Sequence, residues 1–170
     1  MYRISRDVKY CTHAITMVDK QVSDAETAIA AGRNPEIAGD SYLEVGPMIA
    51  DLATTYDTCS ARVTASQRQR WSASAEQAIW NVWHHETARW GTRSAPWSGW
   101  SVDNPGNNYH YSFIEATMMW ALATRSPTWM SLLQTDKLPK LLIKDSRLVH
   151  GLPSGEDDFI RVMEKELGLQ

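Results

Sequence analysis

Apolar side chains recur at helical spacing along most of the chain, beginning near its N-terminus. Alternating steps of four and three residues predict one long helix, or two in line, over residues 4–29. Ser23 and Glu26 have the spacing of a capping box that restarts this helix, and Gly32 followed by Asn34-Pro35 ends it. The narrow apolar stripe is typical of a helix packed against another helix.

The next two predicted helices differ in how much of their surface is apolar. The second covers about residues 42–56 and has apolar side chains on one face. The third begins at Thr64, where Gln67 completes a capping box, and runs to about Trp90. Its apolar positions take up nearly half of its circumference, so it needs broad cover from other elements. These positions are Trp71, Ala75, Ile79, Val82, Trp83 and Trp90.

Three more helices are predicted in the second half of the chain. The fourth, over about residues 111–124, is apolar almost all round, which is typical of an interior helix. A less regular fifth covers residues 129–143 around Pro139, and the last begins at Ser154 and stops at Gly168. Because no segment shows convincing strand alternation, we expect a single all-α domain over residues 1–170.

Composition narrows the classes of partner. The formal net charge of -3 gives no basic footprint, so nucleic acid is not an expected partner. No apolar run approaches the roughly 20 residues that span a bilayer. The N-terminus lacks the apolar centre of a signal peptide, so we expect a soluble chain with neither a membrane partner nor an export address. Cys11 and Cys59 allow one disulfide at most, and the sequence leaves the redox compartment open.

The segment over residues 88–111 concentrates aromatic rings, amides, one histidine and two tyrosines in a connection broken by glycine and proline. Connections of this length are uncommon in a compact domain unless they bind something or are disordered. Three tryptophans are costly to leave in water, which argues against disorder: Trp90, Trp97 and Trp100. The inventory predicts a site that handles sugar.

Several motifs lie in and around this segment. Tyr56-Asp57, residues 64–68 and residues 88–91 are short, whereas residues 97–111 are more specific because an Asn-Asn-x-His junction opens an apolar helix. Together they resemble the helical-toroid polysaccharide lyases, most closely the alginate-lyase and heparinase II/III-like groups. The similarity covers about residues 42–142. That family commonly places its histidine directly after the asparagine pair, whereas here Tyr109 intervenes.

The resemblance implies an (α/α) toroid built from helical hairpins. A complete toroid needs about twice the helices predicted here, so we expect an incomplete one. Such a half-ring would be completed by a homo-oligomer or by a second half supplied by a partner. The family also suggests a periplasmic or secreted location.

The resemblance further implies β-elimination on an acidic polysaccharide or oligosaccharide that contains uronic acid, with no cofactor and no metal. Fixed donors would neutralise the substrate carboxylate: Asn107, Asn108 and Arg93. His110 would take the C5 proton, and Tyr109 or Tyr111 would protonate the departing O4 or act as the base. Sugar rings would stack on Trp90, Trp97 and Trp100.

Each assignment has a structural alternative. Asn107 and Asn108 could cap the following helix, and His110 could be a hydrogen-bonded first-turn residue. The whole chain could then be a non-catalytic helical fragment that binds carbohydrate or acts as a scaffold. An open groove lined by Asn108, His110 and Trp100 would favour the enzyme, and a buried His110 would argue against it. Tryptophans at helical spacing are assigned to packing: Trp71, Trp80, Trp83 and Trp120.

A metal site is a weaker interpretation of the histidines. His84 and His85 precede Glu86, and together with Asp103 and His110 they could be read as ligands. Adjacent helical residues point about 100° apart, so His84 and His85 cannot both face one ion. Neither an HExxH nor a paired-cysteine pattern is present, and no metal site is predicted.

Overall fold

The computed structural model describes residues 7–144, with side chains through residue 141. Six α-helices form this part of the chain: α1 Val8–Ala30, α2 Val45–Thr58, α3 Ala65–Trp83, α4 Asn108–Thr124, α5 Pro127–Leu132 and α6 Leu138–Lys144. Short 3-10 turns lie at Glu36–Ala38, Asp40–Tyr42, Ser60–Arg62 and His85–Thr87. A two-residue antiparallel hairpin pairs β1 Arg89–Trp90 with β2 Arg93–Ser94. The expected helical class is confirmed over these residues, and the helix predicted from Ser154 lies outside them.

Helix α4 is the centre of the packing, as its apolar sequence predicts. Phe113 and Trp120 are fully buried, and α4 packs most extensively against α2. The two backbones approach closely at Gly46, where an added Cβ would lie within 2.6–2.9 Å of Glu115 and Ser112. Ser112 Oγ accepts a hydrogen bond from the Gly46 amide (2.8 Å) and donates one to the Leu43 carbonyl (2.5 Å). Glycine is therefore needed at position 46 for this contact.

Helix α1 is tied to the rest of the bundle by one covalent bond and by polar contacts. A disulfide joins Cys11 of α1 to Cys59, the residue that follows α2. Asp19 Oδ1 accepts from Trp71 Nε1 (2.9 Å) and from Arg70 Nη1 (3.0 Å), both on α3. The disulfide decides the cysteine pairing that the sequence left open.

The structure decides between the two alternatives for the first helix and corrects the end of the third. Helix α1 runs without interruption through Ser23, so it is one long helix and the Ser23–Glu26 capping box does not form; the Ser23 carbonyl accepts from Thr27 Oγ (2.8 Å) within the helix. The capping box of Thr64 and Gln67 is confirmed, but α3 ends at Trp83 instead of continuing to Trp90. His84 leaves helical dihedral angles, with φ -124° and ψ 53°, and the chain turns back along α3.

The irregular stretch predicted around Pro139 contains a π turn. Residues Leu133–Lys137 form this turn between α5 and α6. Proline has no amide hydrogen, so Pro139 cannot complete the regular hydrogen bond to the carbonyl of Thr135, and a locally widened helix accommodates that loss. No helix among residues 7–144 is both long enough and apolar enough to cross a membrane.

The disulfide gives a direct test of how α1 is held. The two cysteines are separated by 48 residues in sequence, and chain entropy alone predicts a stabilisation of about 4 kcal/mol for a loop of that length. We therefore expect the Cys11→Ser, Cys59→Ser double variant to unfold at a clearly lower urea concentration than the oxidised protein. Equal midpoints in equilibrium urea titrations would contradict this prediction.

Candidate functional site

The connection from α3 to α4 is held by the side chain of Asn81, which is fully buried. Its Oδ1 accepts from the Arg89 amide (3.0 Å), and its Nδ2 donates to the Arg89 carbonyl (2.7 Å). The Asn81 backbone carbonyl accepts from Trp97 Nε1 (2.9 Å). One residue of α3 thus fixes both the hairpin and the segment that follows it.

Two of the three loop tryptophans are packing residues in this arrangement. Trp90 is fully buried and lies parallel to Tyr42, with ring centroids 6.3 Å apart and planes at 12°. Trp97 is half-buried, with its centroid 4.9 Å from that of Tyr42. Burial, partly offset by the Asn81 side chain, raises the pKa of Tyr42 to about 12. Trp90 therefore has no free face for a sugar ring, which removes it from the predicted stacking set, while Trp100 is 56% exposed.

A strained turn that the sequence did not predict places Tyr42 against Trp90 and Trp97. Asp40, Ser41 and Tyr42 are consecutive non-glycine residues with φ of 41°, 54° and 65°. Such a conformation costs of order 1–3 kcal/mol per residue and persists only when the surroundings impose it. Packing of Tyr42 against the tryptophans supplies that constraint. The turn also brings the Asp40 carboxylate beside the phenol of Tyr109, whose pKa is raised by burial first and by Asp40 second.

The two asparagines at the start of α4 have different positions. Asn107 is the N-cap, and its Oδ1 accepts from the Tyr109 amide at 3.0 Å. Asn108 is the first helical residue, and its side chain is exposed. The capping alternative therefore applies to Asn107, and it leaves the amide of Asn108 accessible.

His110 lies inside the protein, with 2% of its surface exposed. Its Nδ1 is 3.0 Å from the Val102 carbonyl oxygen and 3.3 Å from that of Ser101. Carbonyl oxygens only accept, so Nδ1 carries a hydrogen and Nε2 is the bare nitrogen. Nε2 has no hydrogen-bond partner among the described residues. Substrate does not reach this imidazole in the present arrangement, which argues against His110 as the base.

The electrostatic surroundings of His110 also keep it neutral. Burial and the Lys137 ammonium lower its pKa, while the two backbone carbonyls and Asp103 act in the opposite direction. Lys137 belongs to the π turn, and its Nζ lies 4.4 Å from the centre of the Trp83 ring. Trp83 in turn packs edge-on against the imidazole, with centroids 6.0 Å apart. The histidine is thus part of a buried aromatic and cationic cluster.

The remaining candidates lie apart from one another. Arg93 of β2 donates from Nη2 to Asn34 Oδ1, next to the end of α1. Tyr111 is 36% exposed on α4. His84 and His85 contact different tryptophans, Trp80 and Trp97, and residues 7–144 contain no group of three metal-ligating side chains. The structure brings Tyr109 and Asp40 together and leaves Trp100 open.

A separate cleft of about 920 Å³ lies between α1, α2 and the 3-10 turn at Glu36–Ala38. Its lining includes Gln21, Asp24, Met48 and Asp51, and none of the residues over 88–111 lines it. The segment over residues 88–111 is therefore separate from this cleft.

Comparison of the chain with protein-family models, curated proteins and solved structures gives no match. The resemblance to polysaccharide lyases accordingly contributes only to a proposal.

The burial of His110 predicts how stability depends on pH. Its pKa is lowered in the folded state, so below an ordinary histidine pKa of about 6.5 the unfolded chain takes up a proton that the folded chain refuses. Stability from this residue is complete above that pH and decreases as pH falls through it. His110→Gln keeps a donor for the Val102 carbonyl and should flatten this dependence in urea titrations between neutral and mildly acidic pH. An identical pH slope in the variant would show that His110 titrates normally.

Proposed function

We propose that this chain is a carbohydrate-binding helical domain of polysaccharide-lyase type, which binds an acidic polysaccharide through the loop that precedes α4. The single observation that carries the proposal is Trp100, a large aromatic ring 56% exposed on an otherwise anchored loop. A fixed ring of this kind presents a flat apolar face with little loss of conformational freedom on binding.

The backbone around Trp100 supports this role. Gly99 has φ 66°, and an added Cβ would lie 2.7 Å from the ring of His85, so the loop is seated directly on that residue. The Val102 amide donates to the Gly99 carbonyl at 3.1 Å and closes a turn around the tryptophan. Trp100 is thus exposed by the shape of the turn, and its position does not depend on a mobile backbone.

Charge and chemistry agree with an acidic sugar as the ligand. Arg89 is exposed and Arg93 half-exposed on the hairpin that carries this loop, and guanidinium groups bind carboxylates well. The proposal includes an incomplete toroid, completed by a second copy or by a separate half. A periplasmic or secreted location fits the Cys11–Cys59 disulfide, because such bonds persist in oxidising compartments.

A second candidate function is β-elimination with Tyr109 as the proton donor. The specific observation in its favour is the raised pKa of Tyr109 beside Asp40, which keeps the phenol protonated until a leaving group needs the proton. A base would remove the C5 proton, the C4–O4 bond would break as the C4=C5 double bond forms, and Tyr109 would protonate O4. In this version His110 is structural, and the completing half supplies the base.

The binding proposal predicts that Trp100→Ala weakens affinity for acidic oligosaccharides such as alginate or heparan fragments by roughly 3- to 10-fold, the usual worth of one stacked aromatic contact. Isothermal titration calorimetry measures this loss. Leu122→Ala is the matched control, because Leu122 is a similarly exposed apolar residue on α4. Unchanged affinity in Trp100→Ala, or no binding by the wild-type protein to any of these ligands, would overturn the proposal.

The same ligands separate binding from turnover. Absorbance of the unsaturated uronide reports elimination, and the binding proposal predicts none, whether the chain is alone or assembled with a second copy or half. Activity that is lost in Tyr109→Phe and retained in His110→Gln would instead select the second candidate. Activity lost in a correctly folded His110→Gln variant would count against both.

A further inference from the structure

Trp80 was expected to be a packing residue, and that expectation is wrong. It is 43% exposed on α3. The ring of His84 stacks on it, with centroids 3.5 Å apart and planes at 9°. His84 Nδ1 lies 3.0 Å from the Trp80 carbonyl oxygen and donates to it, which fixes the imidazole over the indole. The pair is a preformed aromatic platform at the end of the helix.

The platform continues a row along one face of α3. Residues at spacings of four, four and three positions lie on one face of the helix: Gln69, Ala73, Gln77 and Trp80. His84, the first residue after the helix, joins the row through its stacking on Trp80. This α3 row is about 22 Å long at the rise of an α-helix. Its first two residues and Trp80 are exposed, and the other two are half-buried. Amides border the indole, and the row contains no carboxylate, lysine or arginine.

One carboxylate borders the row, but it is engaged elsewhere. Glu76 Oε1 accepts from Trp120 Nε1 and Glu76 Oε2 accepts from Trp129 Nε1, both at 2.7 Å. Both carboxylate oxygens of Glu76 therefore already have hydrogen-bond partners, which are indole groups of the core.

The α3 row adjoins the loop that carries Trp100. His85 follows His84 directly, its carbonyl accepts from the Trp97 amide (3.1 Å), and its ring lies against Gly99. Trp100 is the next residue. His84 of the row and His85, which contacts the loop, are consecutive residues, so the row ends beside the loop that carries Trp100.

We infer that the α3 row is an extension of the sugar-binding surface and takes a pyranose chain that runs from Trp100 onto α3. The Trp80–His84 platform stacks on a ring face, and Ala73 leaves room for the chain beside it. Gln69 bonds hydroxyl groups through its amide, whereas Gln77 does so through Oε1, because its Nε2 donates to Asn81 Oδ1 at 3.1 Å. This inference rests on the proposed function. A docked protein fits less well, because the exposed apolar surface of the row is one indole, whereas protein interfaces need several hundred Å².

The experiment measures affinity against ligand length. Acidic oligosaccharides from the disaccharide upward are titrated into the wild-type protein, Trp80→Ala and the control Leu122→Ala. Short ligands that reach only Trp100 should bind all three proteins equally. Ligands long enough to cover both tryptophans should bind Trp80→Ala roughly 3- to 10-fold more weakly. A wild-type affinity that does not rise with length would overturn the inference and leave the binding proposal intact.

Two variants of opposite charge at Ala73 give an independent test that does not remove an aromatic ring. Ala73 is exposed in the middle of the helix, where glutamate and lysine are both well tolerated. Ala73→Glu should weaken binding of long acidic ligands, and Ala73→Lys should strengthen it, with short ligands unaffected. Equal affinities of the two variants for long ligands would show that the chain does not cross α3. Failure of the wild-type protein to bind any ligand would instead refute the proposed function itself.

Discussion

The hydrogen bonds of the Asn81 side-chain amide are the interaction on which the surface around Trp100 depends. This amide meets both the N–H and the C=O of Arg89, as a neighbouring strand would, from inside a helix that is otherwise packed in the core. Both backbone groups of Arg89 thus rely on a single side chain. The same residue offers its own carbonyl to Trp97. Asn81 therefore ties two separate points of the connection to α3.

This anchor separates the aromatic residues into two groups. Trp90 and Trp97 are drawn inward onto Tyr42, and their packing supports the left-handed turn at Asp40–Tyr42. Trp80 and Trp100 remain exposed, one on α3 and one on the anchored loop. The inward group packs in the core, and the outward group presents aromatic faces to solvent, which is the basis of the proposed binding. A rigid surface with exposed rings and buried histidine is better suited to binding than to proton abstraction.

Much of the helical framework could be predicted from local sequence. The capping box at Thr64 and the interior character of α4 depend on short-range spacing and on composition, and both are confirmed. The end of α3 at Trp83 could not be found in this way, because the apolar pattern continues to Trp90. In the structure the chain turns back after Trp83, and the Arg89 amide donates to Asn81 Oδ1. Trp80 was misassigned for a related reason: helical spacing shows which residues share a face, but the covering elements decide whether that face is buried.

The sequence indicates which residue types form the candidate site, but it does not indicate how they are arranged. The aromatic and amide content of residues 88–111 is visible in the sequence, whereas the inward position of His110 depends on carbonyls of the preceding turn. The partner of Tyr109 was also missed, since Asp40 is 69 positions away and reaches it through three residues in a left-handed conformation. Such long-range placements have no local signal in one sequence.

The buried amide of Asn81 orders the surface that presents Trp100. Amide hydrogen exchange on Asn81→Ala tests it most directly, because exchange is read residue by residue and a loop can lose protection while the helices keep theirs. We expect faster exchange at Arg89, Trp97 and Val102, with little change in the centre of α4. Unchanged protection at those three amides would contradict it.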